Sequence, residues 1–517
     1  MEEKKSTIVK NSFINLINLV FNAISSFIIQ VVLIRKFSIE EYGIYAQVVW
    51  TVSLICVFIG WGISSVTLIK YIAEYQGRQQ RQQIDLLLNL TLKIEIIIAF
   101  FITLLLIAFS GRIADFYFNP EVSIVFIAAF LGILPGISYS VLGAALEGLQ
   151  KFKYITYYGL VVGPLSIFLQ LMFLFLGYKI VPILLVKFVF SVLNAFYYFI
   201  CLKLEGIEFN WDLRIPFNKL KAIFAFNFQV IYNDILNIIV WSKSELFFLG
   251  RFCSATQVAL YNFTFSFSSR FTNLIPQLIW KTLMPVMSEF HGSKDENRLK
   301  RTYYLCTRYV MFFTIPICTI GIVLAYPLIR FIYGERYVPA ENILQIMFFV
   351  SLFTPLGTTN AIVLYGKDNL KFINVFGTMV AVLVIIMDVI LIRKFGAWGA
   401  AIGNGIGQII GSLGGTLYAC RRYHLPFPFK SILKISMVSF PMGLTMISIV
   451  KIYTEIGGFI FSIFSGIIVY IILSYFLGTI EKEDRFILRK VAAIFPDHQQ
   501  GKIVDFIDQF FTKVIKK

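Results

Sequence analysis

The chain has 517 residues, of which 58% are hydrophobic and 15% charged, with a mean hydropathy of +0.78. A soluble domain of this size needs a far more polar surface, so these values exclude a soluble protein and indicate many membrane spans. The net charge of +17 would fit a nucleic-acid partner, but the enrichment of Lys and Arg in cytoplasmic loops of membrane proteins explains much of it. We therefore expect no nucleic-acid partner.

Apolar stretches of about 20 residues, long enough to cross about 30 Å of hydrocarbon as helices, recur along the whole chain. The fourteen predicted spans lie near 12–34, 43–66, 86–109, 122–146, 156–176, 180–202, 222–249, 258–283, 303–326, 340–364, 372–392, 397–419, 431–450 and 456–478. A cytoplasmic N-terminus places about 29 Lys and Arg in cytoplasmic segments and about 10 in outer loops, so both termini are expected to be cytoplasmic. The first stretch is too long for a cleaved signal peptide and is expected to remain in the mature chain.

The two halves of the chain carry an internal repeat. Residues 147–159, "EGLQKFKYITYYG", follow the fourth predicted span, and residues 365–377, "YGKDNLKFINVFG", follow the tenth. Two halves of six spans each enter the membrane in the same direction, as in transporters built from two parallel bundles. We therefore predict an all-α polytopic membrane protein with 14 transmembrane helices, arranged as two pseudo-symmetric six-helix bundles plus two extra C-terminal helices.

The repeat and the charge pattern divide the chain into four predicted segments. These are an N-terminal six-helix bundle (1–212), a C-terminal six-helix bundle (213–425), spans thirteen and fourteen (426–480) and a basic amphipathic cytoplasmic tail (481–517) expected to lie on anionic lipid. The outer loops are too short for the catalytic domain of a membrane polymerase or ligase, so we expect no enzyme. Histidines and cysteines show no ligand spacing, so neither a metal nor another cofactor is expected.

Polar residues line one face of three predicted spans. At about 100° per residue the aligned residues are Asn15, Asn18 and Asn22 in span one, Asp234, Asn237, Trp241 and Glu245 in span seven, and Asn262, Ser266, Arg270, Asn273 and Gln277 in span eight. Interhelical hydrogen bonds explain a single polar residue. Stripes of this length favour the wall of one aqueous cavity instead. Lys243 points away from the stripe and is expected to snorkel to the interface or to meet another helix.

Cations within the spans point to an anionic substrate. Arg270 lies at the middle of its span, where a charge costs about 3 kcal/mol unless it faces water or a partner. Lys281, Arg308 and Lys93 lie nearer the cytoplasmic ends, where snorkelling is the alternative explanation. A cationic cavity attracts an anion, and the planar fork of Arg suits phosphate. Asp234 and Glu245 are candidate coupling carboxylates.

Several motifs resemble one known family. They are "LIRKFSIEEYGIYAQV" (33–48), "SELFFLGRFCSATQVALYN" (244–262) and "GAWGAAIGNGIG" (396–407). With the six-six-two arrangement of spans, they resemble the Wzx-type oligosaccharide flippases of polysaccharide biosynthesis, in the multidrug/oligosaccharidyl-lipid/polysaccharide exporter superfamily. That family usually has Asp where Glu245 stands and Gly where Ala259 stands.

The resemblance implies a flippase that transfers an undecaprenyl-pyrophosphate-linked oligosaccharide across the bacterial cytoplasmic membrane, for O-antigen, capsule or exopolysaccharide. Together with the charge pattern, it makes Arg270, Lys281, Arg308 and Lys93 candidate pyrophosphate contacts. The candidate sugar-facing residues are Asn15, Asn18, Asn22, Asn237, Trp241, Asn262, Ser266, Asn273 and Gln277. We expect a monomer among membrane lipids, with a polysaccharide polymerase and a chain-length regulator as candidate partners.

Two alternatives stay open from the sequence. A flippase for the peptidoglycan lipid precursor has the same number of spans and a cationic cavity, and differs in its substrate. A cation-coupled small-molecule or drug exporter of the same superfamily is expected to have twelve spans and carboxylates in the first half of its cavity. The Asn-rich face of span one and the two additional spans favour the oligosaccharide flippase.

Overall fold

The described part of the chain is helical throughout. The computed structural model describes residues 24–60, 63–210, 217–277, 279–280, 283, 295–367 and 369–479, and no strand occurs among them. Eleven helical segments of this part are long and apolar enough to cross a membrane: Ile39–Ile59, Arg81–Ala108, Pro120–Gly148, Phe152–Phe175, Ile180–Leu204, Ile223–Trp241, Glu296–Val323, Glu335–Gly366, Lys371–Phe395, Phe429–Ile452 and Ile456–Phe476. The predicted all-α, polytopic fold is confirmed.

Three predicted spans are absent from these eleven for identifiable reasons. The first, 12–34, begins outside the described residues and continues as a helix over 24–36. The eighth and twelfth are helical over Ala255–Thr272 and Ala397–Tyr423, but their Asn, Gln, Ser and Gly content makes them much less apolar than the other spans. Membrane helices of this kind must be covered by other helices or face a polar space.

The helices are numbered in chain order. They are α1 (24–36), α2 (Ile39–Ile59), α3 (Ser65–Gly77), α4 (Arg81–Ala108), α5 (Ser110–Tyr117), α6 (Ser123–Phe130), α7 (Ile133–Gly148), α8 (Phe152–Phe175), α9 (Ile180–Leu204), α10 (Phe217–Trp241), α11 (Glu245–Phe252), α12 (Ala255–Thr272), α13 (Glu296–Val323), α14 (Ala325–Ile332), α15 (Glu341–Ser351), α16 (Thr354–Gly366), α17 (Leu370–Phe395), α18 (Ala397–Tyr423), α19 (Phe429–Ile452) and α20 (Ile456–Phe476), with 3-10 turns at Pro120–Val122 and Glu335–Ala340.

Span seven differs from its prediction. The apolar pattern over 222–249 predicts one continuous helix, but α10 ends at Trp241 and α11 begins at Glu245. The Ser244 hydroxyl donates to the carbonyl of Ile239 at 3.0 Å, which helps to satisfy the backbone at this interruption. The expected alignment of Asp234 and Glu245 along one helical face is therefore wrong, because the two residues belong to different helices.

The described residues form two compact units. The first contains the chain up to Phe263 together with Ile332–Tyr337 and Gly377–Asn404. In it, α7 packs against α3, α4 and α9. The bounds of the two bundles and the appended helices drawn from the repeat stay a prediction.

The second unit contains the described residues of three segments: Thr264–Phe331, Val338–Phe376 and the chain from Gly405 onward. Here α19 packs against both α13 and α20, and a buried cluster that includes Val438, Met442 and Tyr470 fills the space between them. The two appended spans are thus an integral part of this unit.

Glu205 fixes the segment that follows α9 in the first unit. One of its carboxylate oxygens lies 2.5 Å from Lys151 Nζ, and the other accepts from the Tyr154 hydroxyl at 2.8 Å. Arg81 donates to the Glu205 carbonyl, and Asn89 donates to that of Glu208 at 2.7 Å. Side chains of α4 and of the repeat motif at 147–159 therefore hold the segment that follows α9.

Candidate functional site

A buried carboxylate stands at the start of α11. The Glu245 side chain is fully buried; its Oε2 accepts from the Tyr261 hydroxyl at 2.7 Å and its Oε1 accepts from Asn404 Nδ2 at 2.6 Å. The donors come from α12 and α18, the two helices whose polar content sets them apart from the other spans. Two neutral donors stabilise a carboxylate but do not neutralise its charge.

Asp388 brings a second buried carboxylate to the same place. It lies on α17, is fully buried, and neither carboxylate oxygen has a hydrogen-bond partner among the described residues. Its charge acts on both Glu245 and Tyr261. Gly403 provides the space, because a Cβ there would lie 2.9 Å from Asp388 Oδ1.

Two buried carboxylates at close range cannot both stay charged without compensation. Burying an unpaired charge is costly, and like charges raise that cost, so such pairs take up a proton or a cation. We call Glu245, Asp388, Tyr261 and Asn404 the carboxylate cluster. Its residues come from four helices and all four belong to the first unit. Two of them, Tyr261 and Asn404, supply neutral oxygen-bearing groups beside the acids.

A chain of hydrogen bonds lies beside this cluster. Lys243 Nζ donates to Asn262 Oδ1 at 2.7 Å. Of the two positions predicted for Lys243, the interface or a contact with another helix, the structure shows the second. Asn262 Nδ2 then donates to the Tyr42 hydroxyl at 3.1 Å, and Gln30 Nε2 donates to the same hydroxyl at 3.2 Å. Residues of the first predicted span, of α2 and of α12 are joined in this way.

The other predicted site residues are spread over both units. In the first unit Lys93, Asn237 and Trp241 are exposed, Asp234 is half-buried and Asn262 is buried; in the second Arg270, Ser266 and Asn273 are half-buried, Gln277 is exposed and Arg308 is buried. Asn15, Asn18, Asn22 and Lys281 lie outside the described residues, as does the predicted tail over 481–517. Asn262 directly follows Tyr261 on α12 and accepts from Lys243, so it lies beside the surroundings of Glu245.

Arg308 is held by the end of the last span. Its side chain is only 2% exposed, and one guanidinium nitrogen donates to the carbonyl of Thr479 at 3.1 Å. Thr479 follows the C-terminus of α20, where a positive charge is favourable because the helix ends with unpaired carbonyls.

An apolar cavity of about 480 Å³ lies in the second unit, between α13, α16 and α19. Its lining residues on α19 are Phe429, Ile432, Ser436, Ser439, Phe440, Gly443, Leu444 and Ile447. They recur on one face over 18 positions, which is about 27 Å of helix. The cavity therefore follows α19 through most of the thickness of a hydrocarbon core.

Sequence reasoning identified Glu245 but missed its partners. Asp388 is not among the predicted site residues, although the cost of burying an acid within the apolar stretch "VIIMDVIL" makes it a functional candidate. Asn404 interrupts the glycine pattern of "GAAIGNGIG" and gave a second signal. Tyr261 gave none, since tyrosines are common in membrane helices.

The comparisons with known proteins agree with this architecture. Residues 32–342 match the model of a family described as "Polysaccharide biosynthesis protein". The Lipid II flippase MurJ of Bacillus subtilis (strain 168) is 28% identical over 189 residues, which are 36% of this chain and 34% of that protein. The match thus spans about a third of that relative's length.

Solved structures share the fold. Lipid II flippase MurJ in an inward closed conformation superposes with a TM-score of 0.70 and 19% identity, over 89% of this chain and 97% of that chain. An inward-facing multidrug resistance MATE family transporter of the MOP superfamily gives 0.66 and 14% identity, over 77% and 94%. At these identities the likeness concerns the fold alone.

Proposed function

Because the chain belongs to the polysaccharide biosynthesis protein family, we propose that it is a flippase for an undecaprenyl-pyrophosphate-linked oligosaccharide. The protein would move this repeat unit from the cytoplasmic to the outer leaflet of the bacterial cytoplasmic membrane, by alternating access. The product would serve the assembly of O-antigen, capsule or exopolysaccharide.

The apolar cavity of the second unit is the observation that carries this proposal. Its length along α19 suits an extended alkyl chain that crosses one bilayer, and its lining offers almost no hydrogen-bonding groups. A section of a polyprenyl tail fits this length and this chemistry, whereas a compact drug molecule needs no such length. Ser436 and Gly443 are small residues, so they leave space for a ligand beside α19 at two points of the lining.

The charged head of the substrate needs cations on the polar helices. Arg270 lies on α12, whose Asn, Ser and Thr side chains could match sugar hydroxyls, and it is our first candidate for the pyrophosphate. Lys93 and Lys281 remain further candidates. Arg308 is the weakest of the four, because its guanidinium is buried and donates to Thr479.

The carboxylate cluster is the proposed coupling site. Entry of a proton or a small monovalent cation would neutralise part of the buried charge of Glu245 and Asp388. Conformations that differ in access to this cluster would then differ in free energy with cation concentration. Such a difference is what an ion gradient needs to drive a transport cycle.

A second candidate substrate is the lipid-linked precursor of peptidoglycan. The local match to the Lipid II flippase of Bacillus subtilis favours it. Both substrates offer the same polyprenyl pyrophosphate, so the apolar cavity and the cationic positions serve either one. They differ in the sugar that the polar helices must accommodate.

Reconstitution distinguishes the candidates. Purified protein in proteoliposomes is given either a fluorescent undecaprenyl-pyrophosphate oligosaccharide or lipid II, and the label exposed on the outer leaflet is quenched over time. We expect faster transfer of the oligosaccharide, with an Arg270→Ala variant well below the wild type. Equal transfer by empty vesicles would overturn the flippase function, and preference for lipid II would select the second candidate.

A further inference from the structure

The lysine at the interruption of span seven has no part in the function proposed above. Lys243 lies between α10 and α11, two residues before Glu245. Its ammonium group donates to Asn262, and its charge stabilises the ionised form of Glu245. A half-buried cation beside two fully buried acids restricts which of these groups can be charged at the same time.

One helix holds both charges of this interruption. Tyr261 and Asn262 are consecutive residues of α12; Tyr261 donates to Glu245, and Asn262 accepts from Lys243. The cation therefore has a neutral acceptor on one side and an acid on the other. Asp388 and Asn404 complete the surroundings of Glu245.

The charges of Lys243, Glu245 and Asp388 do not balance one another. Lys243 supplies one positive charge, whereas Glu245 and Asp388 supply two negative charges when ionised. An added cation would face attraction from the acids and repulsion from Lys243, and both effects are strong over a few ångströms in a buried site. Lys243 and an added cation thus compete for the same carboxylates.

We propose that Lys243 is a tethered competitor of the coupling cation, and that Asn262 is the acceptor that takes its ammonium when the cation binds. The inference rests on the cation coupling of the proposed function and assigns Lys243 and Asn262 as positioning residues for it. The coupling cation is a small monovalent one, either a proton or Na⁺.

This exchange reaches the first half of the chain. Asn262 also donates to Tyr42 on α2, and Tyr42 accepts a second hydrogen bond from Gln30. A change in the strength of the hydrogen bond from Lys243 to Asn262 therefore affects the hydrogen bond from Asn262 to Tyr42. That bond joins the first and the second predicted repeats. Cation occupancy and this contact depend on each other.

Thermal unfolding of the full-length protein in detergent tests the competition without a transport assay. One series raises Na⁺ at fixed pH, with choline keeping ionic strength constant; the other lowers pH without Na⁺. A ligand that binds only the folded state raises the melting temperature with its concentration. For Lys243→Gln we expect the stabilising cation to act at about tenfold lower concentration than in the wild type, because its competitor is gone.

Three further variants sharpen the result. Lys243→Arg keeps the charge and should restore the wild-type concentration. Asn262→Leu removes the alternative acceptor, so the half-saturating concentration should rise; this second sign remains available if Lys243→Gln does not fold. Lys187→Gln removes another half-buried lysine, which donates to Tyr45, and should leave the half-saturating concentration unchanged.

Two outcomes overturn the proposal in different ways. A wild type stabilised by a cation, with Lys243→Gln and Asn262→Leu unchanged in half-saturating concentration, would refute the competition alone. A wild type that flips substrate but responds to neither Na⁺ nor pH would remove the coupling cation from the proposed function, and the competition with it.

Discussion

The guanidinium of Arg308 donates to the carbonyl oxygen of Thr479 at 3.1 Å, across 171 positions of sequence. Lys434 Nζ approaches the neighbouring carbonyl of Gly478 at 3.4 Å, and the Tyr470 hydroxyl donates to the carbonyl of Phe312 at 2.8 Å. The end of the last span is thus tied to α13 and α19. Arg308 therefore stabilises the end of the last span, which argues against its predicted contact with the pyrophosphate of the substrate.

Replacing Arg308 should lower stability more than substrate affinity. Arg308→Leu removes a buried donor and leaves the Thr479 carbonyl without it, which should cost about 1–3 kcal/mol. The measurement is the melting temperature in detergent, followed by transport at saturating and limiting substrate. Arg298→Leu is the matched control on the same helix, because its ion pair with Asp295 is exposed and contributes little. A stable Arg308→Leu protein with a raised KM would instead assign Arg308 to the pyrophosphate.

Filling the apolar cavity should block the lipid substrate. Ser436 lines the cavity and Ser448 does not, although both are exposed residues of α19 whose hydroxyls donate to the carbonyl four residues earlier. An indole at 436 occupies space that the polyprenyl chain needs, so Ser436→Trp should reduce transport at limiting substrate by about tenfold, or about 1.4 kcal/mol of binding. Ser448→Trp should transport normally. Equal transport by both variants would exclude the cavity as the tail site.

Neutralising Asp388 should weaken the binding of the coupling cation without unfolding the protein. Asp388→Asn deletes a buried charge that has no hydrogen-bond partner among the described residues, so stability should hold or rise. The half-saturating cation concentration for transport should increase by about tenfold or more, because one of two acids is lost. Asp234→Asn changes a half-buried acid on α10, outside the cluster. It should change the half-saturating cation concentration less than Asp388→Asn does. A larger shift for Asp234→Asn would move the coupling site to α10.

A methyl group at Gly43 should force two backbones apart. An ideal Cβ there would lie 1.8 Å from the carbonyl oxygen of Ala255, the first residue of α12. Gly43→Ala should therefore destabilise the first unit by about 1–3 kcal/mol or more and lower transport. In Gly136→Ala the new Cβ meets nothing within 4 Å, and this control should be neutral or up to about 1 kcal/mol more stable. Thermal unfolding of both variants gives the comparison.

Hydropathy predicted most of the fold because a bilayer permits few kinds of secondary structure to cross it. A chain that must satisfy its backbone inside hydrocarbon forms helices of about 20 apolar residues, and these are visible in one dimension. The family inferred from the motifs is confirmed as a polysaccharide biosynthesis protein. The Wzx-type subclass stays a prediction. The interruption after Trp241 escaped prediction because "SKS" contains neither proline nor glycine.

The candidate site was predictable one residue at a time but not as an assembly. Glu245 and Asp388 are each recognisable in the sequence as acids within apolar stretches. Their pairing joins positions far apart in sequence, and only the fold shows that Glu245 on α11 interacts with Asp388 on α17 and Asn404 on α18. Lys243 was assigned away from Glu245 by helical geometry, and that geometry failed where the helix is interrupted.

The ion pair at Glu205 should make stability depend on pH in a defined direction. Burial alone would raise the pKa of Glu205, but the hydrogen bonds from Lys151 and Tyr154 and the charges of Lys151 and Lys153 lower it below its usual value of 4.5. A lowered folded-state pKa adds stability that is complete above the unfolded-state pKa and disappears as the pH falls through the folded-state pKa.

Glu205→Gln tests this direction. The wild type should melt at a higher temperature than Glu205→Gln near pH 7, and the difference should shrink as the pH falls below the usual glutamate pKa of 4.5. Glu455→Gln changes an exposed glutamate between α19 and α20 and should follow the wild-type profile. A difference between wild type and Glu205→Gln that stays constant down to about pH 3 would show that the variant loses packing and not an ion pair.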